Sequence, residues 1–62
     1  MNIPRNEDEA VAVAGKLVDR ADETGLFEYS EFLAEHGMER AAILVASMIE
    51  SARIVRYKRE RS

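Results

Sequence analysis

The sequence contains no cysteine and only one histidine, His36, among its 62 residues. The lack of cysteine excludes disulfide bonds and thiolate metal sites, and a single histidine excludes an imidazole-rich zinc site within one chain. A chain of this length buries only about 60% of the surface that its unfolded form exposes, so it lies at the lower limit of independent stability. Self-association is the remaining usual support for such a small domain. We therefore expect a single domain that has no cofactor and gains stability by pairing.

The sequence also lacks a long apolar run. Its most apolar segment extends from Ala41 to Ile49, which is too short to span a bilayer and is soon followed by the charged residues Glu50 and Arg53. The first ten residues, MNIPRNEDEA, have neither a basic start nor an apolar core, so we expect no secretory signal. These features favour a soluble, cytoplasmic protein that does not enter a membrane.

Residues suited to catalysis are scarce. His36 recurs in phase with Tyr29 and Leu33, which is typical of a packing residue rather than of a general base. The serines have no sequence partner of the kind that a catalytic triad uses. The glutamates near His36 occur without the Glu-x-x-His step of carboxylate metal sites. We therefore expect a protein that is not an enzyme and holds no metal.

The N-terminal third of the sequence predicts an amphipathic helix. Asn6 followed by Glu9 has the spacing of a capping box, and Gly25 is suited to the position just after a helix end. We expect a first helix over residues 7–23, preceded by a short flexible arm over residues 1–5. Its apolar face is formed by Ala10, Val11, Val13, Ala14, Leu17, Val18 and Ala21.

Two further helices are predicted in the remainder of the chain, and no strand pattern is present. Apolar residues at three- and four-residue steps predict a short second helix over residues 28–36, which Gly37 ends. A third helix is predicted over residues 39–59, a stretch without glycine or proline that would be about 31 Å long. Its core-facing side is formed by Ala41, Leu44, Val45, Met48, Ala52 and Val55, with Ala42 and Ile49 at the margin.

The third helix carries a second apolar line on the side opposite its core-facing residues. A helix at the surface of a monomer needs only one apolar stripe, and we expect the last turns of this helix to extend beyond its two shorter neighbours. The prediction is an all-α, three-helix domain that forms a two-fold homodimer through the third helix. The predicted interface consists of Ile43, Ala46, Glu50, Ile54 and Tyr57.

Charge is distributed unevenly along the chain. Residues 1–36 carry three bases against nine acids, a balance of −6, whereas residues 37–62 carry six bases against three acids, a balance of +3. The basic end consists of Arg53, Arg56, Lys58, Arg59 and Arg61. These cations either complement the helix dipole, pair with the acidic half of a partner, or contact the phosphates of a nucleic acid. The third interpretation is less favoured because the whole protein is acidic.

The segment from Asp22 to Leu33 resembles the second half of an EF-hand calcium loop. In that resemblance Gly25 takes the sharp-turn position and Glu31 takes the bidentate last position. The resemblance departs at Arg20, where the family has an aspartate ligand. Calcium binding is therefore the remote alternative. The preferred hypothesis is a non-catalytic interaction or regulatory module with an unidentified protein partner, and a nucleic-acid-associated regulator is the alternative.

Overall fold

The computed structural model describes residues 2–61 and shows three α-helices and no strand within that range. Helix α1 spans Glu7–Asp19, α2 spans Glu23–Glu35 and α3 spans Glu39–Arg61. Helix α3 packs against both of the others, which contact each other less extensively. The prediction of an all-α, three-helix fold is confirmed.

The chain before α1 is described from residue 2, and the flexibility expected of the arm over residues 1–5 stays a prediction. Of the predicted arm 1–5, Met1 lies outside the described residues, and Pro4 is buried against the domain. The chain then enters α1 as predicted, because Asn6 has an extended backbone and its side-chain oxygen accepts from the amide of Glu9 at 2.8 Å. The three acidic residues of the first turn meet the positive end of the helix dipole.

Helix α1 ends at Asp19, four residues before its predicted end, and the stop does not involve Gly25. Ala21 adopts a left-handed conformation with φ of 55°. The amide of Ala21 donates to the carbonyl of Val18 at 2.8 Å, and the amide of Asp22 donates to that of Leu17 at 2.9 Å. This pair of bonds is a Schellman cap. It is formed around alanine, where glycine is the usual residue.

Helix α2 begins at Glu23 rather than at residue 28, so the predicted start was wrong. Asp22 caps it, with Oδ1 accepting from the amide of Gly25 at 2.9 Å. A Cβ atom on Gly25 would lie 2.2 Å from Oδ2 of Asp22, so this glycine leaves room for the capping carboxylate. The helix ends at Glu35, and Gly37, with φ of 79°, completes a second Schellman cap. Gly37 was correctly predicted as the stop.

The core lies where α1 and α2 meet the inner side of α3. Helix α2 supplies the three largest fully buried side chains, and Val45 of α3 is the next largest, whereas α1 supplies only alanines. The buried apolar residues are Ala10, Ala14, Leu26, Tyr29, Leu33, Ala41, Ala42, Val45 and Ala52. Val13 and Leu44 were predicted to face the core but are exposed. Leu44 lies about 100° round the helix from Ile43 and Val45 about 200°, so Leu44 stands at the edge of the stripe.

Helix α3 extends beyond the core at its C-terminal end. Its 23 residues measure about 34 Å, close to the 39 Å long axis of the whole molecule. Ala52 is fully buried and Val55 half-buried, but no residue from Arg56 to Arg61 is buried. Within residues 2–61, no helix combines the length and apolarity needed to cross a membrane.

Candidate functional site: an association surface on the third helix

The side of α3 that faces away from the core carries large apolar residues. Ile43 and Ile54 are eleven residues apart, which places them within about 20° of the same line along the helix. Ile43 is 70% exposed, Ile54 49% and Tyr57 58%. We call this side the outer face. It consists of Ile43, Ala46, Ser47, Glu50, Ile54, Tyr57, Lys58 and Arg61, all of which are exposed.

Two apolar patches occupy opposite ends of the outer face. The N-terminal patch is formed by Ile43 and the neighbouring Leu44, beside Glu7 and Arg40. The C-terminal patch is a shallow groove of about 570 Å³ around Ile54 and Tyr57, bordered by Arg53, Lys58 and Arg61. Eleven residues of helix separate Ile43 from Ile54 by about 16 Å. A ligand that covers both patches must therefore be an elongated one.

Short side chains occupy the outer face between the two patches. Ala46 and Ser47 lie there, and the Ser47 hydroxyl donates back to the carbonyl of Leu44 at 2.6 Å. Glu50 is the one long side chain in this stretch, and its Oε2 lies 3.1 Å from Nη1 of Arg53. Small residues in the middle of a helix surface allow the backbone of another helix to approach closely. The five predicted interface residues therefore share one exposed surface, and their role as an interface stays a prediction.

The basic end of α3 divides between two sides. On one side, Glu23 in the first turn of α2 receives two arginines: Nε of Arg53 lies 3.1 Å from its Oε1, and Nη1 of Arg56 lies 2.7 Å from its Oε2. Oε2 of Glu23 is shielded from solvent, and the guanidinium of Arg56 is the charged group that contacts it. Arg56 also lies 3.9 Å from Glu60 of its own helix.

Arg59 and Arg61 show the same division. The guanidinium of Arg59 donates to the backbone carbonyl of Asp19 at the end of α1, a position where carbonyls lack helical partners. The guanidinium of Arg61 lies instead over the ring of Tyr57, 5.5 Å from its centroid, on the outer face. The five predicted basic residues therefore do not form one surface. Arg56 and Arg59 reach back to the other helices, whereas Lys58 and Arg61 border the groove.

The calcium loop of the remote alternative is not formed. Its residues from Glu23 to Glu31 belong to α2, and the Asp22 carboxylate caps that helix. An EF-hand loop presents its ligands from irregular backbone around one ion, whereas a continuous helix turns Glu31 away from Asp22. Across residues 2–61, no three acidic, histidine or cysteine side chains are grouped so that they can hold a metal ion.

His36 is an exposed packing residue at the end of α2. Its Nδ1 lies 2.8 Å from the carbonyl of Phe32, and its ring lies 4.3 Å from that of Phe32. It was predicted to pack partly buried beside Tyr29 and Leu33, but both of those side chains are buried and His36 is not. As the C-cap residue of α2, it lies beyond the last helical turn.

Sequence reasoning missed Glu23 and Phe27. The prediction of a first helix over residues 7–23 places Glu23 at a helix end. The Asp22-x-x-Gly25 spacing also suits a helix start, and the structure has Glu23 in the first turn of α2 beside α3. Phe27 was considered only as part of the calcium loop, yet it is a large exposed apolar residue on α2. Comparison with family models, with curated proteins and with solved structures yields no match for this chain.

Proposed function

We propose that this chain is a non-catalytic, cytoplasmic protein–protein interaction module that acts as a homodimer through the outer face of α3. The observation that carries the proposal is the exposure of Ile43, Ile54 and Tyr57 on one side of one helix. Single exposed apolar residues are ordinary on protein surfaces. Apolar residues aligned on one face and bordered by polar ones are typical of interaction sites.

A two-fold interface uses each of these side chains twice, because the same surface is contributed by both copies. The predicted interface residues nevertheless all lie on one helix of a 62-residue chain, so we expect a contact smaller than the roughly 800 Å² per partner of a standard interface. We therefore expect a dimer that dissociates on dilution. Exchange of the second copy for another protein partner gives such a module a regulatory role.

Nucleic-acid binding is the alternative, and the placement of the cations supports it less. Binding along a phosphate backbone needs several cations that track one surface. Arg56 and Arg59 instead contact Glu23 and the end of α1. Only Lys58 and Arg61, with part of Arg53, border the outer groove.

Sedimentation equilibrium tests the proposal with two matched variants. The wild-type mass should rise with concentration from 7.0 kDa toward twice that value, and Ile54→Asp should keep the monomer mass because it buries a charge in the contact. Phe27→Asp is the control, since it places the same change on an exposed apolar residue of α2 and should dimerise as the wild type does. Circular dichroism verifies that each variant is folded.

A wild-type mass that stays at the monomer value at all concentrations would refute the proposal. Duplex DNA or RNA binding that weakens steeply with salt, and is lost in Lys58→Glu/Arg61→Glu, would favour the alternative instead.

A further inference from the structure

The two ends of the outer face carry opposite charge. Glu7 and Glu39 lie at the N-terminal end of α3 around Arg40, which gives two acids against one base. Lys58 and Arg61 border the C-terminal groove, where Arg53 is already paired with Glu23 and Glu50. The N-terminal patch is therefore bordered by net negative charge and the C-terminal patch by net positive charge.

We propose that the partner on this face is a second copy of the chain whose α3 runs antiparallel, with Ile43 of each copy packed against Ile54 of the other. The inference rests on the proposed homodimer and adds its direction and register. In this register the two-fold axis crosses α3 at the level of Met48 and Ile49. On the outer face, that level carries the short side chains of Ala46 and Ser47, which let the two helices approach closely. It also carries Glu50, whose carboxylate is paired with Arg53 of its own helix.

Charge determines the direction. In the antiparallel pair, the Lys58 and Arg61 end of each copy lies beside the Glu7 and Glu39 end of the other. A parallel pair brings the two basic ends together and the two acidic ends together, and like charges at both ends oppose association. A dimer centred on Ile54 alone also crowds the cations of both grooves. Antiparallel helices additionally align their dipoles favourably.

The spacing of the apolar patches supports the register. Ile43 and Ile54 lie on nearly the same line of α3 about 16 Å apart, so one antiparallel alignment covers both patches of both copies. Tyr57 lies eighteen residues from Glu39, which is five whole turns of helix. In the same alignment it reaches the level of Glu39 and Arg40 of the second copy. In this alignment the side chain of Ile43 from the second copy occupies the groove around Ile54.

Disulfide trapping tests the register directly, because the natural chain has no cysteine. Ile43→Cys and Ile54→Cys are made separately, mixed and oxidised with copper phenanthroline. A disulfide requires Cα atoms about 4.4–6.8 Å apart. The mixed 43–54 disulfide should therefore predominate over either like disulfide, whose two residues lie about 16 Å apart along the helices. Phe27→Cys, mixed with each variant, is the control for random collision and should form no preferred product.

Charge reversal provides a second readout that needs no cysteine. Lys58→Glu/Arg61→Glu should weaken the dimer in sedimentation, and adding Glu7→Lys/Glu39→Lys in the same chain should restore it, because the two ends again carry opposite charge. The dissociation constant of the wild-type dimer should increase with salt.

The outcomes separate the two proposals. A wild-type chain that never dimerises overturns both. A dimer in which each single-cysteine variant crosslinks to itself, or in which no 43–54 disulfide forms, overturns the antiparallel register and leaves the association module standing. Failure of the four-residue charge swap to restore pairing also counts against the register.

Discussion

Tyr29 is a core residue whose hydroxyl group is buried together with its ring. Its side chain is 2% exposed and belongs to the core, yet its hydroxyl is shielded from solvent and has no hydrogen-bond partner among residues 2–61. Burial raises the pKa of Tyr29 above its ordinary value of 10.0, and the negative charge of Glu9 raises the pKa further. The buried ring stabilises the folded protein. The hydroxyl group reduces that stabilisation, because it loses its hydrogen bonds to water on folding.

Removing that hydroxyl should therefore cost nothing. Tyr29→Phe keeps the ring and deletes a buried polar atom without a partner, so we expect the free energy of unfolding to stay unchanged or to rise by up to about 1 kcal/mol. Urea denaturation of the two chains at the same protein concentration measures the difference. A loss of more than 1 kcal/mol would reveal a hydrogen bond to the Tyr29 hydroxyl.

The same residue predicts a pH dependence. Below about pH 10 the hydroxyl is neutral in both the folded and the unfolded chain, so it has no effect on stability. As the pH rises above that value the unfolded chain loses the proton first, and stability is lost until the pH passes the raised pKa of the folded protein. The urea midpoint of the wild type should therefore fall more steeply above pH 10 than that of Tyr29→Phe. Equal slopes would contradict the raised pKa.

At the scale of the helices, α1 and α2 end in the same way with different residues. Both have a left-handed residue after the helix and the two backbone bonds of a Schellman cap, but α1 uses Ala21 and α2 uses Gly37. A left-handed conformation costs an alanine roughly 1–2 kcal/mol and costs glycine almost nothing sterically. The junction of α1 and α2 is therefore a strained position that packing holds in place.

Two separate substitutions, Ala21→Gly and Gly37→Ala, should change the free energy of unfolding in opposite directions. Ala21→Gly should raise the free energy of unfolding by about 1 kcal/mol, because it relieves the left-handed alanine. Gly37→Ala should lower it by a similar amount, and only through backbone conformation, since a Cβ atom there meets nothing within 4 Å. Thermal unfolding of both variants provides the measurement. Two changes of the same sign would contradict this account of the caps.

At the scale of the whole molecule, dimerisation should couple to stability. A partner that binds only the folded chain stabilises it by mass action. The melting temperature of the wild type should therefore increase with protein concentration, whereas that of Ile54→Asp should not change. Scanning calorimetry over a hundredfold range of concentration measures this coupling, and Phe27→Asp should follow the wild type. A concentration-independent wild-type melting temperature would contradict the homodimer.

The uneven distribution of charge along the chain also belongs to this scale. Some of the opposite charges pair within one protomer. The acidic first half and the basic second half meet where Glu23 of α2 contacts Arg53 and Arg56 of α3, and where Arg59 reaches Asp19. These exposed arginines make individually weak pairs. Together they join the projecting end of α3 to the junction of α1 and α2, which leaves Lys58 and Arg61 at the outer face.

Helical periodicity and cap chemistry are local, so the sequence predicted the helical class and the three segments. It also predicted the helix start at Asn6, the helix stop at Gly37 and the exposed line from Ile43 to Ile54. The sequence did not predict the junction between α1 and α2. Gly25 suits either the end of one helix or the capped start of the next, and an alanine at a left-handed position gives no sequence signal. Leu44 lay at the edge of a stripe, where the position of the neighbouring helix determines burial.

The amino-acid sequence by itself determined that the chain is helical, lacks thiol chemistry, and has more apolar surface on its last helix than two short companions can cover. Only the tertiary structure decided which cations are used internally and which remain outside. The physical reason is that a helix places residues on faces by its own geometry, whereas the contact between Glu23 and the arginines thirty residues later depends on how the helices pack.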